Sequence, residues 1–216
     1  MRRHDVITND NRPAERSRFR ALLRPFAWLL FHAIYPFRIV NRQGIAQQRA
    51  PYLLIANHNS NLDAVLLAWL CPYPFYSLGK KELIRGKFSE WLLVKKLRMI
   101  PISRNESDVK AMRASMNALK SGNVLCVFPE GTRRLESLME KVEKGVALLA
   151  MRQKVDMLPV YIDGRPRLFR MNRAIVGAPL SAADYPPGPY SDEKADRLCA
   201  MIRDAFHALR ERLNGE

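Results

Sequence analysis

A histidine and an aspartate stand five residues apart in Asn57-His-Asn-Ser-Asn-Leu-Asp63. Upstream, Tyr52-Leu-Leu-Ile-Ala56 is an apolar run of strand length. Downstream, Leu62, Val65, Leu66 and Trp69 recur at helical spacing, with Asp63 in the first turn. The spacing predicts a histidine on a strand-to-helix loop, facing an aspartate across one turn. A carboxylate so placed accepts the Nδ1 proton, fixes the tautomer and leaves Nε2 as a base. No serine completes a triad, and the simplest inference is that the substrate brings the hydroxyl. The bland alternative is structural: Ser60-Asn-Leu-Asp63 resembles a capping box, in which Asp63 satisfies helix amides and His58 is an ordinary loop residue.

A second polar signature, Phe128-Pro-Glu-Gly-Thr-Arg133, follows the apolar run Val124-Leu-Cys-Val-Phe128. Gly131 lets backbone approach a ligand closely, and an arginine fork (Arg133, followed by Arg134) matches phosphate oxygens bidentately. As plain structure, Pro-Glu-Gly-Thr is a good turn and Arg-Arg a solvated pair. Arg98-Met-Ile-Pro-Ile-Ser-Arg104 reads as a short strand ending in an arginine, ahead of a helix that Asn105 or Ser107 would cap. Met157-Leu-Pro-Val-Tyr-Ile162 is apolar but contains Pro159, which a central strand does not readily accept. Lys80, at the end of the strand-like Tyr76-Ser-Leu-Gly79, either adds charge for a phosphate or is a solvated surface lysine.

In their order these pieces resemble the four sequence blocks of the glycerolipid acyltransferases, whose best-known type is 1-acylglycerol-3-phosphate acyltransferase. His58 to Asp63 match the His-x4-Asp block, Arg104 closes the second, Phe128–Arg133 form the third and Leu158-Pro-Val160 the fourth; the likeness spans roughly residues 35 to 180. Ser103 stands where the second block usually has an acid, and Arg134 where the third is usually followed by serine. The resemblance implies acyl transfer from a thioester to the hydroxyl of 1-acylglycerol-3-phosphate, giving phosphatidate in phospholipid biosynthesis. Glycerol-3-phosphate or another lysolipid is the rival acceptor. No cofactor is implied beyond the co-substrate, acyl-coenzyme A or acyl carrier protein. His58 would be the general base and Asp63 its partner, with Arg104, Arg133 and Lys80 on the acceptor's phosphate. Gly131 and Thr132 would line that site, and Glu130 would bond a glycerol hydroxyl or orient the arginines. Backbone amides near Pro159, or at the start of the helix after Asn61, would meet the oxyanion. Water in place of the lipid alcohol would make the same pair a hydrolase.

Composition narrows the partners. The 216 residues carry 36 Lys and Arg against 21 Asp and Glu, a net charge of +15. That balance favours acidic headgroups, phosphorylated substrates or nucleic acid. Nucleic acid is not expected, because no zinc-finger spacing, RNA-binding aromatic signature or dominant basic block is present. A basic membrane-surface or nucleic-acid module without catalysis is the alternative of a different class. Cys71, Cys126 and Cys199 are far apart and odd in number, which fits a reduced cytoplasmic setting, and Cys126 reads as a small core hydrophobe. The four histidines are scattered, so no metal site is expected.

Residues 1–16 are expected to form a basic flexible tail, and 17–216 one domain whose segment 17–37 associates with membrane. The apolar run Pro25–Phe37 has 13 residues, short of the ~20 that a span needs. With an arginine-rich flank and Trp28, Phe31, Tyr35 and Phe37, it suits a helix lying in an anionic leaflet, or else one docked on the protein's own core. Peripheral or monotopic attachment to the cytoplasmic face follows from the first reading.

Strands are predicted near 38–42, 52–57, 74–79, 99–103, 123–128, 156–162 and 172–177. Helices are predicted near 17–34, 61–70, 88–97, 107–121, 138–152 and 191–213. Such alternation argues for an α/β fold, a layered sheet with helices on both faces and an amphipathic helical segment at the N-terminus; the resemblance implies that this central sheet is mixed and mostly parallel.

Overall fold

A computed structural model of the chain describes residues 18–103, 109–133 and 137–216. Arg104, Asn105, Ser107, Arg134 and the basic tail lie outside the described residues. Seven strands form one sheet: β1 (Phe37–Val40), β2 (Leu53–Ala56), β3 (Phe75–Lys80), β4 (Met99–Ile102), β5 (Val124–Val127), β6 (Met157–Ile162) and β7 (Asn172–Val176). Their spatial order is β1-β7-β6-β2-β5-β3-β4. The pairings from β6 through β2, β5 and β3 to β4 are all parallel. β7 runs antiparallel to β6, and β1 parallel to β7. The sheet is therefore mixed and mostly parallel, as the resemblance implies.

Every residue of β2, β5 and β6 is buried, because helices cover both faces and such strands read as unbroken apolar runs. One face is covered by α5 (Val109–Lys120), α6 (Lys144–Gln153) and α7 (Asp192–Asn214). The apolar stripe of α7, with Ala195, Leu198, Ile202, Phe206 and Leu209, is core packing. The opposite face is covered by α3 (Leu62–Leu70), by the short α2 (Arg42–Gln47) and by the N-terminal helix α1 (Arg18–Leu29), which widens into a π-type segment at Leu30–Ile34. A further short helix, α4 (Lys87–Glu90), continues as a π-type segment over Trp91–Lys96.

The N-terminal segment docks one side on the protein's own core. Phe31 is buried against Trp69 and Phe37, and Ala27 and Leu30 pack beside it. On its other side Leu22, Leu23, Phe26, Trp28 and Leu29 remain exposed. Among the described residues no helix is long and apolar enough to cross a membrane.

Three local expectations change. The helix predicted at 138–152 begins at Lys144, because Met139 is buried in a left-handed conformation (φ 54) and its amide is bound by Glu130. Arg42–Gln47, where no helix is predicted and whose first residue falls in the predicted strand 38–42, is helical. Pro159 does lie in a central strand, opposite Ile55 of β2. Its carbonyl accepts from Gly177 N–H at 2.8 Å, so its missing donor faces the β7 side, where the ladder ends. A Cβ on Gly177 would come within 2.8 Å of the proline ring, so the sheet admits the proline by placing glycine opposite it. Gly122 ends α5 as expected, at φ +76, with the amide of Asn123 returning to Ala118 O.

Candidate active site

Five parallel strands bring their carboxyl ends to one edge, so the segments that follow them meet there. His58 follows β2, Phe128–Arg133 follow β5, its neighbour, and Lys80 closes β3, the next strand across. Ser103, the last described residue before the gap at 104–108, follows β4.

At the centre His58 Nδ1 lies 3.0 Å from Asp63 Oδ2. That same oxygen accepts the amides of Asn59 at 2.6 Å and Ser60 at 2.7 Å. Asp63 is wholly enclosed, whereas the His58 ring keeps 19% of its surface open. The amide bonds of the capping reading and the His58–Asp63 contact are thus present together: the amides aim the carboxylate, and the carboxylate aims the imidazole. With Nδ1 engaged, Nε2 is the nitrogen left for a substrate. Asp63 Oδ1 is buried with no partner among the described residues.

Phe128 stacks on the imidazole, with ring centroids 4.0 Å apart and planes 19° from parallel. Glu130, buried, accepts the His58 amide on Oε2 at 3.3 Å and the Met139 amide on Oε1 at 3.0 Å. These two bonds tie the histidine loop to the segment before α6. Gly131 turns the chain at φ +64, where a Cβ would press within 3.3 Å of Glu143 Cγ. Arg133 leaves this turn exposed, with Thr132 half-buried beside it.

Asn57 and Asn59, which the sequence reading passed over, lock the loop from the other side. Asn57 imitates one more residue of β2: its Nδ2 donates to Ile162 O (2.9 Å) and its Oδ1 accepts from Ile162 N–H (2.8 Å). Asn59 Nδ2 donates to Ile162 O (2.9 Å) and Gly164 O (3.0 Å). The only advance signal was a polar, asparagine-rich run directly after a buried strand. Asn57→Ala strands the buried Ile162 amide, a cost of about 1–3 kcal/mol. Thermal unfolding should show a fall of roughly 2–10 °C in Tm, together with reduced turnover.

The structure thus joins His58, Asp63, Glu130, Gly131, Thr132 and Arg133 on two bonded loops. Lys80 shares their edge but sits two strands from β2, roughly 10 Å away at ordinary strand spacing. Pro159 lies inside the sheet, about three residues' rise below His58, and offers no N–H. At the start of α3 the amides of Asn59 and Ser60 serve Asp63, Leu62 N–H serves Ser60 Oγ, and Asp63 N–H serves Ser60 O. These four are not free for an oxyanion. Burial pushes the Cys126 thiol up, out of reach of a nucleophilic thiolate.

A family model described as Acyltransferase matches residues 37–163, more than half of the chain. The chain is 24% identical over 182 residues to the 1-acyl-sn-glycerol-3-phosphate acyltransferase of Bacillus subtilis (strain 168), covering 81% of this chain and 86% of that protein. It is 26% identical over 192 residues to the enzyme of the same name from Cocos nucifera, covering 86% of this chain but only 59% of that protein. The corresponding Saccharomyces cerevisiae protein is 29% identical over 135 residues, covering 61% of this chain and 44% of that protein. In fold, the chain is similar to the crystal structure of the 1-acyl-sn-glycerophosphate (LPA) acyltransferase PlsC from Thermotoga maritima. That match has a TM-score of 0.68 at 21% identity and covers 91% of this chain and 83% of the other.

Proposed function

The chain belongs to the acyltransferase family, and on that premise we propose that it moves a fatty acyl group from a thioester to the free hydroxyl of 1-acylglycerol-3-phosphate, giving phosphatidate. The observation that carries this reading is the His58–Asp63 contact at the sheet's carboxyl edge, bonded through Glu130 to the loop that bears Arg133. Three of the relatives above bear the name of this reaction.

The acceptor hydroxyl bonds to His58 Nε2, and its oxygen attacks the thioester carbonyl as the proton passes to that nitrogen. Asp63 faces the Nδ1–H of the resulting imidazolium, and the Phe128 ring offers its π-face to the same cation. The tetrahedral intermediate then expels the thiolate, which takes the proton back from Nε2. Arg133 and Arg104 hold the acceptor's phosphate, with Lys80 adding charge at the same edge. Acyl-coenzyme A or acyl carrier protein supplies the acyl group. The exposed apolar side of α1, behind its basic tail, attaches the enzyme peripherally to the cytoplasmic face of an anionic membrane, where acceptor and product both reside.

Thiol release from acyl-coenzyme A and from acyl carrier protein is the direct test, run with lysophosphatidate, with glycerol-3-phosphate and with no acceptor. Release that requires lysophosphatidate is expected. Release without any acceptor would mean hydrolysis, and a preference for glycerol-3-phosphate would move the acceptor one step back. Arg133→Ala and Arg104→Ala should each raise the half-saturating lysophosphatidate concentration about 10- to 100-fold, the loss of one charge-assisted bond, with a smaller change in kcat. Unchanged acceptor dependence in both variants would remove the phosphate clamp.

A further inference from the structure

Between β6 and β7 the chain runs Asp163-Gly-Arg-Pro-Arg-Leu-Phe-Arg-Met171, and the reaction above uses none of it. Leu168, Phe169 and Met171 are 55%, 76% and 60% exposed, interleaved with the exposed Arg165, Arg167 and Arg170. Asp163, the one acid here, is half-buried and paired with Arg173 at 2.8 Å, and the next acid along the chain is Asp184. The tip is therefore purely cationic and apolar.

The tip is also built to hold its shape. Buried Asn172 accepts the Arg167 amide on Oδ1 at 2.7 Å. Its Nδ2 donates to the carbonyls of Arg167, Arg170 and Pro36 at 3.1, 3.0 and 3.2 Å. Phe169 stands at φ 53, a left-handed conformation that a bulky side chain rarely adopts, and its amide is bound to Ile34 O at 2.8 Å. Three large apolar side chains are thus kept facing outward by backbone bonds, where a loose loop would fold them in.

Two anchor points locate the tip. Gly164, at its start, is bonded to Asn59 of the histidine loop. Ile34 and Pro36, which hold its middle and end, are the exit of the helix whose outer side exposes Leu22, Phe26 and Trp28. We propose that residues 165–171 form a second membrane contact, in which Leu168, Phe169 and Met171 enter the acyl boundary of an anionic bilayer while Arg165, Arg167 and Arg170 meet lipid phosphates. Together with the N-terminal helix it sets the height of His58 above the lipid surface. A bilayer is favoured over a protein partner because the charge is of one sign and arginine alternates with large apolar side chains. The inference leans on the lipid-acylation reading only for its purpose, since binding to vesicles is measured without turnover.

Flotation of the full chain with phosphatidylcholine vesicles, with and without phosphatidylglycerol, tests it. Leu168→Ser/Phe169→Ser/Met171→Ser should weaken partitioning about 10- to 100-fold. Arg165→Gln/Arg167→Gln/Arg170→Gln should weaken it about 5-fold per arginine, on the anionic vesicles and at low salt. Both variants should keep the wild-type circular dichroism spectrum and the turnover of a short-chain, monomeric acceptor. Phe169→Trp, which leaves the loop's bonds intact, should be quenched by brominated lipid beyond the quenching of the wild type. Partitioning unaffected by both triple variants, or no added quenching, would overturn the proposal and leave the patch to a protein partner. Lost vesicle binding in a chain that transfers no acyl group would uphold this contact while refuting the reaction.

Discussion

Replacing His58 with alanine should lower kcat by at least about 10²–10⁴-fold, the range for removing a positioned general base, while the protein stays folded. The effect is large because a lipid alcohol is far too weak an acid to ionise unaided, and no other group among the described residues of this edge is aimed as His58 is. Its ring is held on three counts: Nδ1 by Asp63, its plane by Phe128, and its backbone by Glu130. Fold should survive, because the ring is partly open and its removal leaves Asp63 Oδ2 still bonded to the amides of Asn59 and Ser60. Single-turnover thiol release, compared with the Tm of the same preparation, separates lost chemistry from lost structure. A variant that folds and keeps its turnover would end the case for an imidazole base.

How much of this was open to a reader of the sequence depends on how local each feature is. The seven strands were legible because each is a short apolar run ended by turn residues, and both motif loops lie next to one. The short helix at Arg42–Gln47 was not, since it buries a single side chain, Ile45, and six residues carry no period. Pro159 argued against a central strand because its tolerance depends on Gly177, a residue far along the chain. The roles of Asn57, Asn59 and Glu130 were hidden for the same reason: their partners are the backbones of Ile162, Gly164 and Met139. Phe128 read as the last core residue of a strand, and only the fold lays it against His58. Spacing revealed which groups do chemistry, whereas the bonds that hold them still are long-range.

Asp63 is the position where two substitutions should differ most sharply. Among the described residues its three hydrogen bonds converge on Oδ2, while Oδ1 is buried without a partner. In Asp63→Asn the amide oxygen occupies the Oδ2 place and keeps all three donors, so the histidine retains its tautomer. What disappears is the charge facing the imidazolium, and the difference between a charged and a neutral acceptor is about 1–2 kcal/mol, or roughly 5- to 30-fold in kcat. The new NH₂ would point where no acceptor waits, which destabilises the fold by about 1–3 kcal/mol. Asp63→Ala instead frees the imidazole and leaves the amides of Asn59 and Ser60 without their acceptor. Its kcat should fall by about 10³-fold or more, approaching the loss in His58→Ala. Because His58 and Asp63 act as one unit, the double variant should be little worse than His58→Ala alone. Equal losses in Asp63→Asn and Asp63→Ala would mean that charge, and not the aim of the ring, is what the carboxylate contributes.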